Sequence, residues 1–308
     1  MANEAFTGRR LQQRLAGDAD QTERAALDNG QANVDQGLYD EAVADAMDDF
    51  RPDDGQNDPE WALADRQQDD AVGGLTEILE KRREILGQYY PFRLSSTSLE
   101  YTRSDTLVYE FCLVTSTTRE QDDPRLARTF EQLATILAKR YLGPEGRSEH
   151  VGWPRQGRPR FRKVAEHLHQ QSGEWYWQPE HGLPDDPEPR HSKDEGMDFA
   201  AWIRHLDDRP GQLFLLGQCA CGDNWNSKLK DLQPTRLGRW FGPMTYVPPV
   251  RAFCTPFHIT DGLLTECSQQ AGVLFDRIRL TLLAETAPGP IRNEIGALDL
   301  AQYLPNVG

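Results

Sequence analysis

Residues 197–232 read MDFAAWIRHLDDRPGQLFLLGQCACGDNWNSKLKDL, and the fold turns on how this stretch is divided. Two apolar runs, Asp198–Ile203 and Gln212–Cys219, flank the turn sequence DDRPG at 207–211. Apolar runs of strand length separated by Asp, Pro and Gly predict a β-hairpin. A helix is expected to begin near Asp223 or Asn224. The hairpin brings Asp198, at the start of one strand, to the same end as Gln218, close to the end of the next. Alternation along a strand puts Gln218 and Ala220 on one face. An amide at the end of an apolar strand costs free energy unless it is hydrogen-bonded, which singles out Gln218 from ordinary polar residues.

Working outward, Asp123-Pro124 opens a helix over 125–142 with Leu126, Phe130, Leu133 and Leu137 on one face. FRKVAEHLHQQSG (161–173) predicts another helix, RAFCTPF a short strand, and the stretches around 262–272 and 275–285 further helices. In the N-terminal half, LTEILEKRREILG predicts a helix, whereas RLSSTSLEYT and the β-branched, aromatic TLVYEFCLVTS predict strands. Strands interspersed with helices imply an α/β core. Three regions are expected: an acidic arm over 1–72, an accessory region over 73–122, and a core over 123–308 with C-terminal elements.

The formal net charge of -15 is unevenly distributed. Residues 1–80 carry 20 acidic and 6 basic side chains, while the remaining 228 carry 29 and 28. The body of the chain is therefore near neutral, and net charge does not argue against nucleic-acid binding. Two helices are expected in the arm, Arg9–Leu27 and Leu38–Phe50. The arm is expected to be partly disordered, or to dock on the body, where its acids would mimic phosphate in a nucleic-acid groove. No apolar run reaches the roughly 18–20 residues that span a bilayer. With no apolar signal-like segment near the N-terminus and five cysteines in no regular framework, a cytoplasmic setting with reduced thiols is expected.

Hydrolysis of a phosphodiester with a metal needs oxygen ligands for the cation and a positive group for the charge that develops on the phosphate. The order Gly196-Met197-Asp198, apolar strand, Gln218 resembles the PD-(D/E)XK nuclease superfamily, and its Mrr-like members in particular. That resemblance implies a restriction endonuclease-like α/β core, a mixed central sheet flanked by helices, with an N-terminal helical extension. It implies Mg²⁺ or Mn²⁺ held by Asp198, Gln218 and the Cys219 carbonyl, with Glu131 joining from the helix 125–142. The expected motif lysine is replaced by Ala220, so the resemblance assigns its role to Lys228, with Lys230 as second choice. DNA would be the substrate, and Arg155, Arg158, Arg160, Lys163 and Arg236 would bind it. An ATPase or sensor partner, or a homo-oligomer, in antiphage defence is implied by analogy. A core that has kept the fold and lost catalysis, serving as scaffold or DNA-binding subunit, is the alternative.

Other chemistry finds less support. Cys219-x-Cys221 with Cys254, His258 and Cys267 lacks zinc-knuckle spacing. No context marks a cysteine nucleophile beside His150, His181 or His258. Glycine-rich nucleotide loops and the GxSxG elbow are absent from the sequence.

Overall fold

The computed structural model describes residues 2–34, 59–95, 97–119, 121–152, 160–185, 195–207, 209–242 and 247–305. The predicted hairpin forms, as β5 (Phe199–Ile203) and β6 (Leu213–Cys219), with Phe199 opposite Gly217 and Ile203 opposite Leu213. It is the centre of a five-stranded sheet. β4 (Gly146–His150) pairs antiparallel with β5; β7 (Val250–Cys254) and β8 (Val273–Phe275) continue parallel beyond β6.

β5 is covered on both sides. Phe199 and Ala201 enter one core and Ala200 and Trp202 the other, which is why FAAWI carries no polar alternation. Gly217 sits beneath the Phe199 ring, and a Cβ there would fall 1.9 Å from it. One face of the sheet packs on α4 (Pro124–Leu142) and α8 (Arg277–Glu285). The other packs on α5 (Phe161–Ser172), near β5 and β6, and on α7 (Asp261–Ala271), near β7 and β8. α4 starts where Asp123 caps the Arg125 amide at 3.0 Å with Pro124 in the first turn, and it lies across β4, β5 and β6.

The N-terminal part adds α1 (Ala2–Asn29), α2 (Pro59–Leu86), α3 (Val108–Thr117) and a small antiparallel sheet. That sheet holds β1 (Gln31–Asn33), β3 (Ser98–Tyr101) and β2 (Phe92–Leu94), in this order. The helix expected at Arg9–Leu27 is present within α1; that expected at Leu38–Phe50 lies outside the described residues. α1 is no loose arm. Ala16, Ala19, Ala26 and Leu27 are buried in the same core as Phe199, and α2 runs unbroken through residue 72, where the composition changes.

Two of the arm's acids are buried with it. Asp20 accepts two bonds from the Arg277 guanidinium at 2.8 Å each and pairs with Arg82 at 2.7 Å. Glu23 pairs with Arg82 at 2.9 Å and accepts from Tyr90 at 2.6 Å and Tyr109 at 2.8 Å. Arg82 Nε in turn donates to His258 Nδ1 at 2.9 Å, and burial together with Arg82 holds that imidazole well below its ordinary pKa, hence neutral. These acids neutralise arginines inside the protein rather than occupying a groove.

TLVYEFCLVTS is helical, as α3, and not a strand. Val108 to Thr115 are all buried, so the helix is enclosed on every side and shows no 3.6-residue stripe. After β6 only a 3₁₀ turn, Trp225–Lys228, and the single-turn α6 (Pro234–Leu237) appear in place of the longer helix expected. Two further elements, α9 (Gly289–Gly296) and a 3₁₀ turn at Leu300–Tyr303, close the chain. No helix among the described residues is long and apolar enough to cross a membrane.

Arg277→Met would leave Asp20 with a single partner in the interior. The unfolding free energy should fall by about 3–5 kcal/mol in urea titration, the cost of breaking a buried ion pair. Burial raises the Asp20 carboxyl, but Arg277 and Arg82 outweigh it and hold the group below its ordinary 3.8. Its contribution is therefore complete above about pH 4, the unfolded value, and disappears as pH falls through the lower folded value. Wild type should lose stability over that acid range more steeply than Arg277→Met. Gly217→Ala, forced against the Phe199 ring, should cost about 1–3 kcal/mol in the same titration.

Candidate functional site

At the open end of the hairpin Asp198 stands one step beyond the Phe199–Gly217 pair. Its backbone is held from both sides. The Asp198 amide donates to the Gly217 carbonyl at 2.8 Å, and its own carbonyl accepts from Val151 and Gly152 at 2.7 and 2.9 Å. The carboxylate reaches across the strand end, where Oδ2 accepts the Cys219 amide at 2.7 Å. In an extended residue the N–H and C=O point to the same side, so the Cys219 carbonyl is turned toward Asp198 as well.

Glu131 comes to this end from α4. Its Oε2 lies 2.8 Å from His150 Nε2, and both side chains are mostly buried. Gly152 makes room for it, since a Cβ at that position would stand 2.3 Å from Oε2. Glu131 and Asp198 both bear on the Cys219 thiol. Burial first, then Cys254 beside it, then these two carboxylates push that thiol well above its ordinary value. The thiol stays protonated at neutral pH. Glu131, Asp198 and Cys219 therefore stand at the same end of the hairpin.

Gln218 is different. It is buried, but alternation along β6 turns it to the face opposite Glu131, and its Oε1 accepts the Leu232 amide at 3.2 Å. The hydrogen bond demanded of a buried amide exists, and its partner is the chain after the 3₁₀ turn. Ala220 shares that face and packs with Trp225, Leu229 and Phe253. The residues of this strand end on the α4 side are Cys219 and Cys221, which pack against the α4 core. Gln218 is thus not brought together with Glu131.

Lys228 closes the 3₁₀ turn. The segment it begins runs to Leu232, which meets Gln218 and packs against Gly196. Lys228 is half-buried and makes no ion pair among the described residues, whereas Lys230 is exposed. Of the expected nucleic-acid contacts, Arg155 and Arg158 lie outside the described residues. Arg160 precedes α5; Lys163 pairs with Glu166 at 2.7 Å; Arg236 is exposed on α6.

Gly152 and Arg119 carry no signal in the sequence, and His150 is weighed there only as a partner for a cysteine. His150 and Gly152 position Glu131, and Arg119 lines a cleft of about 600 Å³ with Gln121, Pro124, Cys221 and Asp223, next to the strand end. Arg119 is exposed and forms no ion pair among the described residues. Only the position of Pro124 and Glu131 on one helix hinted at this side of the site.

Among the described residues no three His, Cys, Asp or Glu side chains form a metal-holding group. The oxygen donors at this end of the hairpin are the Glu131 and Asp198 carboxylates and the Cys219 carbonyl. Hard oxygen donors of that number fit Mg²⁺, which keeps several waters and takes one or two carboxylates. Zinc is a poor fit: His258 is engaged by Arg82, and Cys267 belongs to the core beneath α7.

Gly152→Ala should displace the Glu131 carboxylate from His150 while leaving the fold intact, because the obstructing atom is the far end of a flexible side chain. In NMR spectra the His150 ring resonances should move while the melting temperature falls by only about 2–6 °C, as for a tolerated small-to-large change of roughly 1–3 kcal/mol at a buried position. An unmoved His150 would refute this packing. Comparison of the chain with protein-family models, curated proteins and solved structures gives no match.

Proposed function

We propose that this chain is a metal-dependent nuclease with a restriction endonuclease-like core of the PD-(D/E)XK type, acting on DNA. One observation carries the reading: an aspartate at the start of β5 takes the amide of the peptide that ends β6, and a glutamate from the helix before the sheet bears on the thiol of that same residue. The order of elements supports it too: helix, three-stranded antiparallel meander, then a parallel strand.

In this reading Glu131, Asp198 and the Cys219 carbonyl hold Mg²⁺ or Mn²⁺, which when bound polarises the phosphate and lowers the pKa of a water. His150 keeps the Glu131 carboxylate oriented toward that position. The Cys219 amide fixes the Asp198 carboxylate at the strand end. Lys228 supplies the ammonium that the motif position, filled by Ala220, does not, and it answers the charge developing on the phosphate. Gln218 acts indirectly, by tying the segment from Lys228 to Leu232 onto the strand end. It is a positioning residue in this scheme and not a metal ligand.

A second reading has its own support. Ala220 is buried where the motif lysine belongs, and the Gln218 amide is occupied by Leu232. These features suit a core that binds DNA without cutting it.

Cleavage of supercoiled plasmid in Mg²⁺ or Mn²⁺ separates the two. Wild type should cut, Asp198→Asn and Glu131→Gln should abolish cutting, and Lys228→Ala should slow it about 10²–10³-fold, the usual loss of one transition-state donor. Equal cutting by wild type and Asp198→Asn would remove the proposed site. No cutting with either metal, accompanied by retained DNA retardation in a gel, would establish the second reading.

A further inference from the structure

We infer a second binding site, for a nucleotide-class molecule, at the opposite end of the sheet from Asp198. A cavity of about 750 Å³ opens between the C-terminal end of α4, the start of β4 and the start of α9. That volume lies within the roughly 300–1,000 Å³ range of small-molecule sites. Gly146 borders it, whereas His150, at the other end of β4, belongs to the site described above. Four strand steps separate them, about 13 Å.

The lining has two chemical parts. Lys139, Arg140 and Arg147 form a cationic wall, while Pro288, Pro290 and Ile291 form a rigid apolar one. Among the described residues Glu294 is the single carboxylate in the lining, and it pairs with Lys139. Neither arginine has a carboxylate partner among the described residues. Arg147 donates to the Gly146 carbonyl at 3.0 Å and Arg140 Nη2 to the Thr286 carbonyl at 3.3 Å. The Arg140 Nε–H is shielded from solvent and has no acceptor among the described residues.

A shielded donor without an acceptor is uncommon in a folded protein, and on a cationic wall it calls for an anionic oxygen. Guanidinium groups are suited to phosphate through paired donors. A DNA backbone alone would leave the proline and isoleucine wall unused. A molecule with a phosphate and a flat apolar body uses both walls, and a nucleoside monophosphate is the simplest of that class. The site is independent of the nuclease reading, because it shares no residue with it.

Isothermal titration of the full chain with AMP, adenosine and inorganic phosphate tests the assignment. AMP should bind saturably, and adenosine and phosphate should each bind more weakly. Arg140→Ala and the exposed Arg147→Ala should each weaken AMP about tenfold or more, the loss of one charge-assisted bond. Asp198→Asn should bind AMP as wild type does, whatever its effect on cleavage. Circular dichroism and the melting temperature verify that each variant is folded; should Arg140→Ala fail to fold, Arg147→Ala decides alone. The inference is overturned if folded wild type shows no saturable AMP binding. It is equally overturned if the arginine variants bind AMP unchanged, or if Asp198→Asn loses it.

Discussion

Two arginines with no access to water, Arg82 and Arg277, meet two carboxylates of α1 in the interior, and the arrangement of both halves of the molecule depends on that meeting. Arg82 belongs to α2 and Arg277 to α8, beside the large sheet, while Tyr109 on α3 and Tyr90 complete the shell around Glu23. A buried guanidinium without its acid is strongly destabilising, so none of these elements can shift alone. Gln13 on α1 adds to the same joint. It donates to the His258 carbonyl and accepts the Thr260 amide, holding the loop before α7. The acidic N-terminal helix is a wedge between the helical part and the sheet.

The proposed catalytic end is built on the same side of the sheet as that wedge. α4 lies across β4, β5 and β6 and delivers Glu131; the hairpin delivers Asp198; Gly152 yields the space between them. The site uses few side chains and several backbone groups. Asp198 alone is engaged by the chain at Val151, Gly152, Gly217 and Cys219. Such fixing suits a carboxylate that must keep its place while a charged substrate comes and goes. On the far side of the sheet Gln218 and Leu232 hold the turn that carries Lys228, so the two faces contribute differently: acids from one, a positioned loop from the other.

Parts of this were readable from the residues. The DDRPG turn between two apolar runs specified the hairpin, and it brought Asp198 and Gln218 to the same open end. A buried amide required a hydrogen bond, and it has one. Other parts were closed to such reading. TLVYEFCLVTS has strand-like composition, yet a helix buried on all sides has no periodicity to betray it. Asp20 and Glu23 look solvated within an acidic segment, because one of the arginines that bind Asp20 lies 257 residues away. His150 and Gly152 acquire their roles only when α4 docks.

Local sequence by itself determined the elements near the site: where β5 and β6 run, where they reverse, and which residues stand at their open end. It did so because turn chemistry and apolar runs act over a few residues. Tertiary structure alone decided which polar groups meet there. A one-residue step along β6 separates Gln218, facing Leu232, from Cys219, facing the Glu131 side, and the helix packed on each face sets the partner. That choice belongs to contacts between segments far apart in the chain, where the local pattern carries no information.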